Sequence, residues 1–129
     1  MATFLLDSSA IIDTLNGKRG RAKLLEDLIQ QGHVLACCPI NITEVYAGMR
    51  PHEEIRTGEL LTSLQLFPIT FPIARLAGLL KRDYTKKGIT LAGTDVTVAA
   101  VAIHNRLTLI TDNVKHYPMQ ELTLYPLAR

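Results

Sequence analysis

The sequence predicts an α/β fold: a single-domain three-layer sandwich around a mainly parallel, five-stranded sheet. Three observations point there. Short apolar runs alternate with segments of helical period along the chain, the pattern of strands joined by crossover helices. The 129 residues match one ordinary domain with one core, taken as 1–129. A hydrophobic share of 47% against a charged share of 20% is a globular balance that leaves nothing for a long disordered tail.

Each element has its own warrant. "TFLL" (3–6) is a short apolar strand. "SAIIDTLNG" (9–17) is a short helix halted by Gly17. "RAKLLEDLIQQG" (21–32) sets Ala22, Leu25, Leu28 and Ile29 on one helical face before Gly32 ends it. "HVLACC" (33–38) is the second strand, closed by Pro39. Helices follow at "NITEVYAGM" (41–49) and "HEEIRTGELLTSL" (52–64). "QLFPI" (65–69) is a third, weaker strand, because Pro68 has no N–H to donate and fits only an edge. "PIARLAGLLKRDYTKKG" (72–88) has proline in its first turn and glycine at its end, as a helix should. "GTDVTVAAVAIHNR" (93–106) is apolar nearly all round and reads as a buried helix. "LTLI" (107–110) and "ELTLY" (121–125) complete the strands, and no repeat or low-complexity tract interrupts the series.

Composition narrows the function classes. A net charge of +2 and a pI near 8.6 permit a polyanionic substrate without arguing for one. Cys37 and Cys38 are neighbours on a strand, so they point to opposite faces and cannot bridge without strain. No CxxC or Cys/His spacing forms a zinc motif, and buried reduced thiols fit a cytoplasmic protein. The start "MATFLLDSSA" lacks a cationic leader and breaks at Asp7, so no signal peptide is expected. No apolar run approaches the roughly 18 residues that span a bilayer, and no membrane partner is expected.

In parallel sheets ligands bind beyond the carboxyl ends of the strands, near a topological switch point. Four acids fall where that rule looks. Asp7 follows the first strand, and Asp112 follows the fourth after Thr111. Glu44 lies in the first turn of the helix after the second strand, and Asp95 in the first turn of the helix before the fourth. Each has an ordinary explanation. Asp7 caps a helix, Asn41 and Glu44 have capping-box spacing, Asp95 answers a helix dipole, and "TDN" (111–113) makes a turn. Together the ordinary explanations weaken. Carboxylates within a few ångströms repel unless a cation sits among them, and an all-oxygen pocket suits Mg²⁺ or Mn²⁺. Such an ion lowers the pKa of a bound water, so no nucleophilic histidine or cysteine is required. His33, His52, His104 and His116 read as structural or surface residues.

"LLDSSAIID", "NITEVYAG", "LAGTDVTVAAVAI" and "LITDNVKHY" resemble, in order, the four motifs of PIN-domain nucleases, most closely the small VapC-type toxins of toxin–antitoxin modules. The resemblance runs from about Thr3 to Tyr125. It implies a strand order of 3-2-1-4-5 and a metal-dependent endoribonuclease that hydrolyses RNA phosphodiester bonds with metal-activated water. Asp7, Glu44 and Asp95 match the acidic positions that bind Mg²⁺ or Mn²⁺. Asp112 and Asn113 share the fourth slot, with Ser9 and Thr111 in support. His116 stands where many relatives carry an acid. The resemblance also implies a cognate antitoxin over the active-site groove and a homodimer, with 51–64 and the helix from Pro72 as surfaces for them. Lys18, Arg19 and Arg21, or Lys81, Arg82, Lys86 and Lys87, are expected to track the RNA backbone, although solvated loop and helix faces are the plainer reading.

Competing classes fit less well. A haloacid-dehalogenase-type phosphatase needs an acid where Ser9 stands. A phospho-receiver domain needs an acidic pair after the first strand and an aspartate after the third, and the chain has neither. The alternative kept open is a catalytically weak PIN module that binds RNA or protein as a regulator.

Overall fold

The computed structural model describes residues 1–127. Among these, five strands and six α-helices alternate: β1 (Thr3–Leu6), α1 (Ser8–Leu15), α2 (Arg21–Gln30), β2 (Val34–Cys37), α3 (Pro39–Gly48), α4 (Glu54–Ser63), β3 (Gln65–Leu66), α5 (Phe71–Lys86), α6 (Gly93–Asn105), β4 (Thr108–Thr111) and β5 (Thr123–Pro126). The sheet runs β3-β2-β1-β4-β5, and every pairing is parallel. This is the expected order.

Alternation along the strands divides the core in two. Leu5, Ala36 and Leu109 face the layer of α5 and α6, while Phe4, Leu6, Leu35 and Ile110 face α1, α2, α3 and α4. Side chains on a strand point to opposite faces in turn, so each strand serves both layers. Cys37 and Cys38 fall on opposite sides and are free thiols. Burial, with the neighbouring Cys38 adding, pushes the Cys37 thiol up to about 11. Helix α6 is enclosed as its composition requires, with Val98 to Ala102 at most 1% exposed. The run of small residues lets it lie close to the sheet.

Two boundaries near the site and the sheet edge differ from expectation. Helix α3 starts at Pro39, because proline at the first helical position gives up an N–H that would have no partner there. Glu44 therefore lies in the second turn. Asn41 sits inside that helix, where its side chain accepts the Cys38 N–H at 2.9 Å. Strand β3 keeps only Gln65 and Leu66. The Phe67 N–H still reaches the Cys37 carbonyl at 2.9 Å, and Pro68 then ends the pairing. No helix among the described residues is long and apolar enough to cross a membrane.

The chain leaves β1 for β2 on one side, and β4 lies on the other. The carboxyl edge between β1 and β4 is therefore the switch point, where connections diverge and leave a crevice.

Candidate active site

Strand register builds the rim. Leu6 stands opposite Ile110 in the β1–β4 pair, so the residues that follow, Asp7 and Thr111, lie side by side. The Thr111 hydroxyl donates to Asp7 Oδ2 at 2.7 Å, and the Ser8 N–H donates to Oδ1 at 2.9 Å. Asp7 thus caps α1 and faces the switch point at once. The Thr111 oxygen also accepts the Asn113 N–H at 3.0 Å.

A buried asparagine brings in the second helix. Asn41 is fully buried and donates through Nδ2 to Ser8 Oγ at 3.1 Å. The Ser8 hydroxyl in turn donates to Glu44 Oε1 at 2.6 Å. Glu44 is held to the rim although its side chain is otherwise exposed. Asp95, half-buried in the first turn of α6, has Oδ2 at 3.4 Å from His116 Nδ1.

Asp7, Glu44 and Asp95 act on one another. Burial is the main cause that raises the Asp7 pKa; Thr111 and Ser8 oppose it, and the Glu44 charge adds to it. Burial also leads in raising Asp95, where His116 opposes and the Asp7 and Glu44 charges add. Tyr117 lies beside the same group. Its hydroxyl is buried without a hydrogen-bond partner in normal geometry among the described residues. Burial first, then the Asp7 and Asp95 charges, push that phenol far above its usual range, so it stays protonated.

Asp112 is engaged elsewhere. Ser9 Oγ donates to its Oδ1 at 3.1 Å and Arg19 Nη1 to its Oδ2 at 2.9 Å. Asp7, Glu44 and Asp95 are thus within electrostatic reach of one another, while Asp112 is paired with an arginine. The expected cations also separate. Arg21 is buried and donates to the Arg19 carbonyl, and Lys81 Nζ donates to the Leu91 carbonyl. Neither is presented as a backbone contact needs, because the loop and the helix turn each inward. Lys18 and Lys86 are exposed, Arg82 pairs with Asp83 at 3.1 Å, and Lys87 lies 4.9 Å from the Tyr84 ring centre.

Sequence reasoning missed Ser8, Asn41 and Tyr117 as parts of the rim. Their signal was present: Asn41 opens "NITEVYAG" and Tyr117 closes "LITDNVKHY". A second feature lies apart from the acids. An apolar groove of about 600 Å³ runs between α2, α4 and the β2 edge, lined by Leu25, Ile29, Leu35, Leu60 and Leu64 among others. Ile29 is 56% exposed there, while Leu61 and Leu64 are core.

In its chemistry, the donor set suits a hard divalent cation. Its carboxylate and phenol groups are all oxygen, which suits Mg²⁺ or Mn²⁺, and the unpartnered Tyr117 hydroxyl lies beside Asp7 and Asp95. No three His, Cys, Asp or Glu side chains among the described residues stand close enough to enclose an ion as placed.

A parallel sheet of this order with acids at its switch point defines a PIN-like fold. Residues 4–120 match the PIN domain family, and the chain belongs to it. It is similar to Ribonuclease VapC10 of Mycobacterium tuberculosis, 34% identical over 124 residues that cover 96% of this chain and 92% of that protein. Ribonuclease VapC19 of the same organism is 32% identical over 115 residues, covering 89% and 92%. A toxin–antitoxin complex from Klebsiella pneumoniae matches with a TM-score of 0.76 at 27% identity, covering 98% of this chain and 100% of that one.

Proposed function

We propose that the protein is a divalent-metal-dependent endoribonuclease, the toxin of a VapBC-type toxin–antitoxin pair, acting on RNA phosphodiester bonds. The observation that carries this reading is that Asp7, Glu44 and Asp95 lie within electrostatic reach of one another around the β1–β4 switch point. Membership of the PIN family and the likeness to ribonucleases named VapC support it. Asp7, Glu44 and Asp95 are the residues that would hold Mg²⁺ or Mn²⁺. When bound, such an ion polarises a phosphate oxygen and makes a water acidic enough to supply hydroxide.

The chain's own groups prepare that chemistry. Thr111 and Ser8 fix the Asp7 carboxylate, and Ser8 with Asn41 fixes Glu44. Tyr117 remains a donor at any physiological pH and orients an acceptor placed between Asp7 and Asp95. His116 steadies Asp95 from outside.

The partners in this proposal are an RNA substrate, an antitoxin and a second copy of the chain. The apolar groove between α2 and α4 has the shape and chemistry to seat an amphipathic antitoxin helix. Phe71, 82% exposed at the start of α5, is the aromatic residue that a homodimer would cover.

The test is Mn²⁺ binding by calorimetry to the native chain, Asp7→Asn and Asp95→Asn, with folding checked by circular dichroism. Binding to the native chain and loss of roughly tenfold or more in each variant is expected, since each removes a charged ligand. Equal binding by all three would refute the site.

A further inference from the structure

The loop joining α1 to α2 delivers one guanidinium to the rim. Gly17, Arg19 and Gly20 have left-handed φ values of 64°, 58° and 67°, a conformation that arginine seldom adopts. Buried Arg21 holds the loop from within, its Nη1 donating to the Arg19 carbonyl at 3.3 Å. Arg19 Nη1 consequently lies 2.9 Å from Asp112 Oδ2 and 3.6 Å from Asp13 Oδ2.

This pair differs from an ordinary surface ion pair. The Asp112 side chain is only 7% exposed while that of Arg19 is 48% exposed. A carboxylate so enclosed requires a counter-charge. Ser9 holds one of its oxygens and Arg19 the other. A divalent ion brought to Asp112 would meet the guanidinium, and like charges at that distance repel strongly.

We infer that Arg19 occupies, beside Asp112, the place of a second divalent ion, so that the native chain binds one ion on Asp7, Glu44 and Asp95. The inference rests on the metal reading of the preceding section and sharpens it. A substrate phosphate at this rim faces one metal ion and one guanidinium, whose fork of N–H donors matches phosphate oxygens.

Two measurements test it. Mn²⁺ calorimetry gives the stoichiometry for the native chain, Arg19→Gln, and Arg19→Gln combined with Asp112→Asn. One ion, two ions and one ion are expected in that order. Melting of the metal-free proteins tests the pairing itself. Arg19→Gln lowers the melting temperature by roughly 3–6 °C, and this loss shrinks when Asp112 is already Asn. Arg19→Gly, which removes the guanidinium and relieves the backbone strain, gives the same stoichiometry should the Gln variant fold poorly. Unchanged stoichiometry on removing Arg19, two ions on the native chain, or an equal melting loss in both backgrounds would each overturn the inference while leaving the metal site standing. A native chain and variants that all bind no Mn²⁺ would overturn the metal reading and the inference together.

Discussion

The Thr111 hydroxyl donates to Asp7 Oδ2 at 2.7 Å, joining residues 104 positions apart across the central strand pair. Both side chains are buried, so the bond partly compensates a carboxylate taken out of water. Thr111→Val keeps the shape and removes the donor. The variant is expected to lose about 1–3 kcal/mol at pH 7, measured by urea unfolding of the metal-free protein. The hydroxyl lowers the Asp7 pKa, so its removal raises that pKa further. The penalty falls on the ionised form and shrinks as the pH drops and Asp7 takes up a proton.

Stability of the metal-free protein is expected to depend on pH through the same acids. Burial raises Asp7 and Asp95 above their ordinary value of 3.8. For a raised group, the stabilising contribution is complete below the unfolded pKa and is lost as pH rises through the folded one. Relative to Asp7→Asn, the native chain should therefore lose stability as pH climbs from 3.8 through that folded value, and Mn²⁺ should restore it at neutrality. Thermal melts of both proteins across pH, with and without Mn²⁺, check this. Parallel profiles would contradict it.

Asn41 fastens the Cys38 N–H to the Ser8 hydroxyl. Asn41→Ala strands a buried N–H and leaves the Ser8–Glu44 bond unsupported. A loss of about 1–3 kcal/mol in chemical unfolding is expected, together with weaker Mn²⁺ binding although no ligand has been changed.

Exposed and buried cations should separate in RNA binding. Lys18→Gln is expected to lower the slope of log affinity against log salt by about 0.7, the value of one lost single-strand phosphate contact. Arg21→Gln is expected to leave the slope unchanged and to lower stability. Fluorescence anisotropy with a single-stranded RNA over a salt series distinguishes the two.

The layers were legible because apolar alternation needs only local information: Leu5 against Phe4 and Leu6 is visible in "TFLL". Asp7 and Asp95 were legible because each interrupts an apolar run at an element boundary. The strand order came with the family resemblance, since spacing alone does not say which strands pair. Glu44 was put one turn too early because Pro39 ends a strand and begins a helix at once, and the sequence shows only the proline. Arg21 reads as a free cation until three left-handed residues turn the loop and bury it. Arg19 is equally visible as a charge, but its partner lies 93 positions away, beyond any local pattern. Tyr117 becomes part of the rim only when the segment after β4 folds back over Asp7.

The most direct test of the central claim is cleavage of total RNA with Mn²⁺ present or removed by chelation, native chain against folded Asp95→Asn. Metal-dependent cleavage by the native chain, reduced roughly a hundredfold or more in the variant, is the expected result. Cleavage that persists without divalent ions, or proceeds equally in both proteins, would contradict the account.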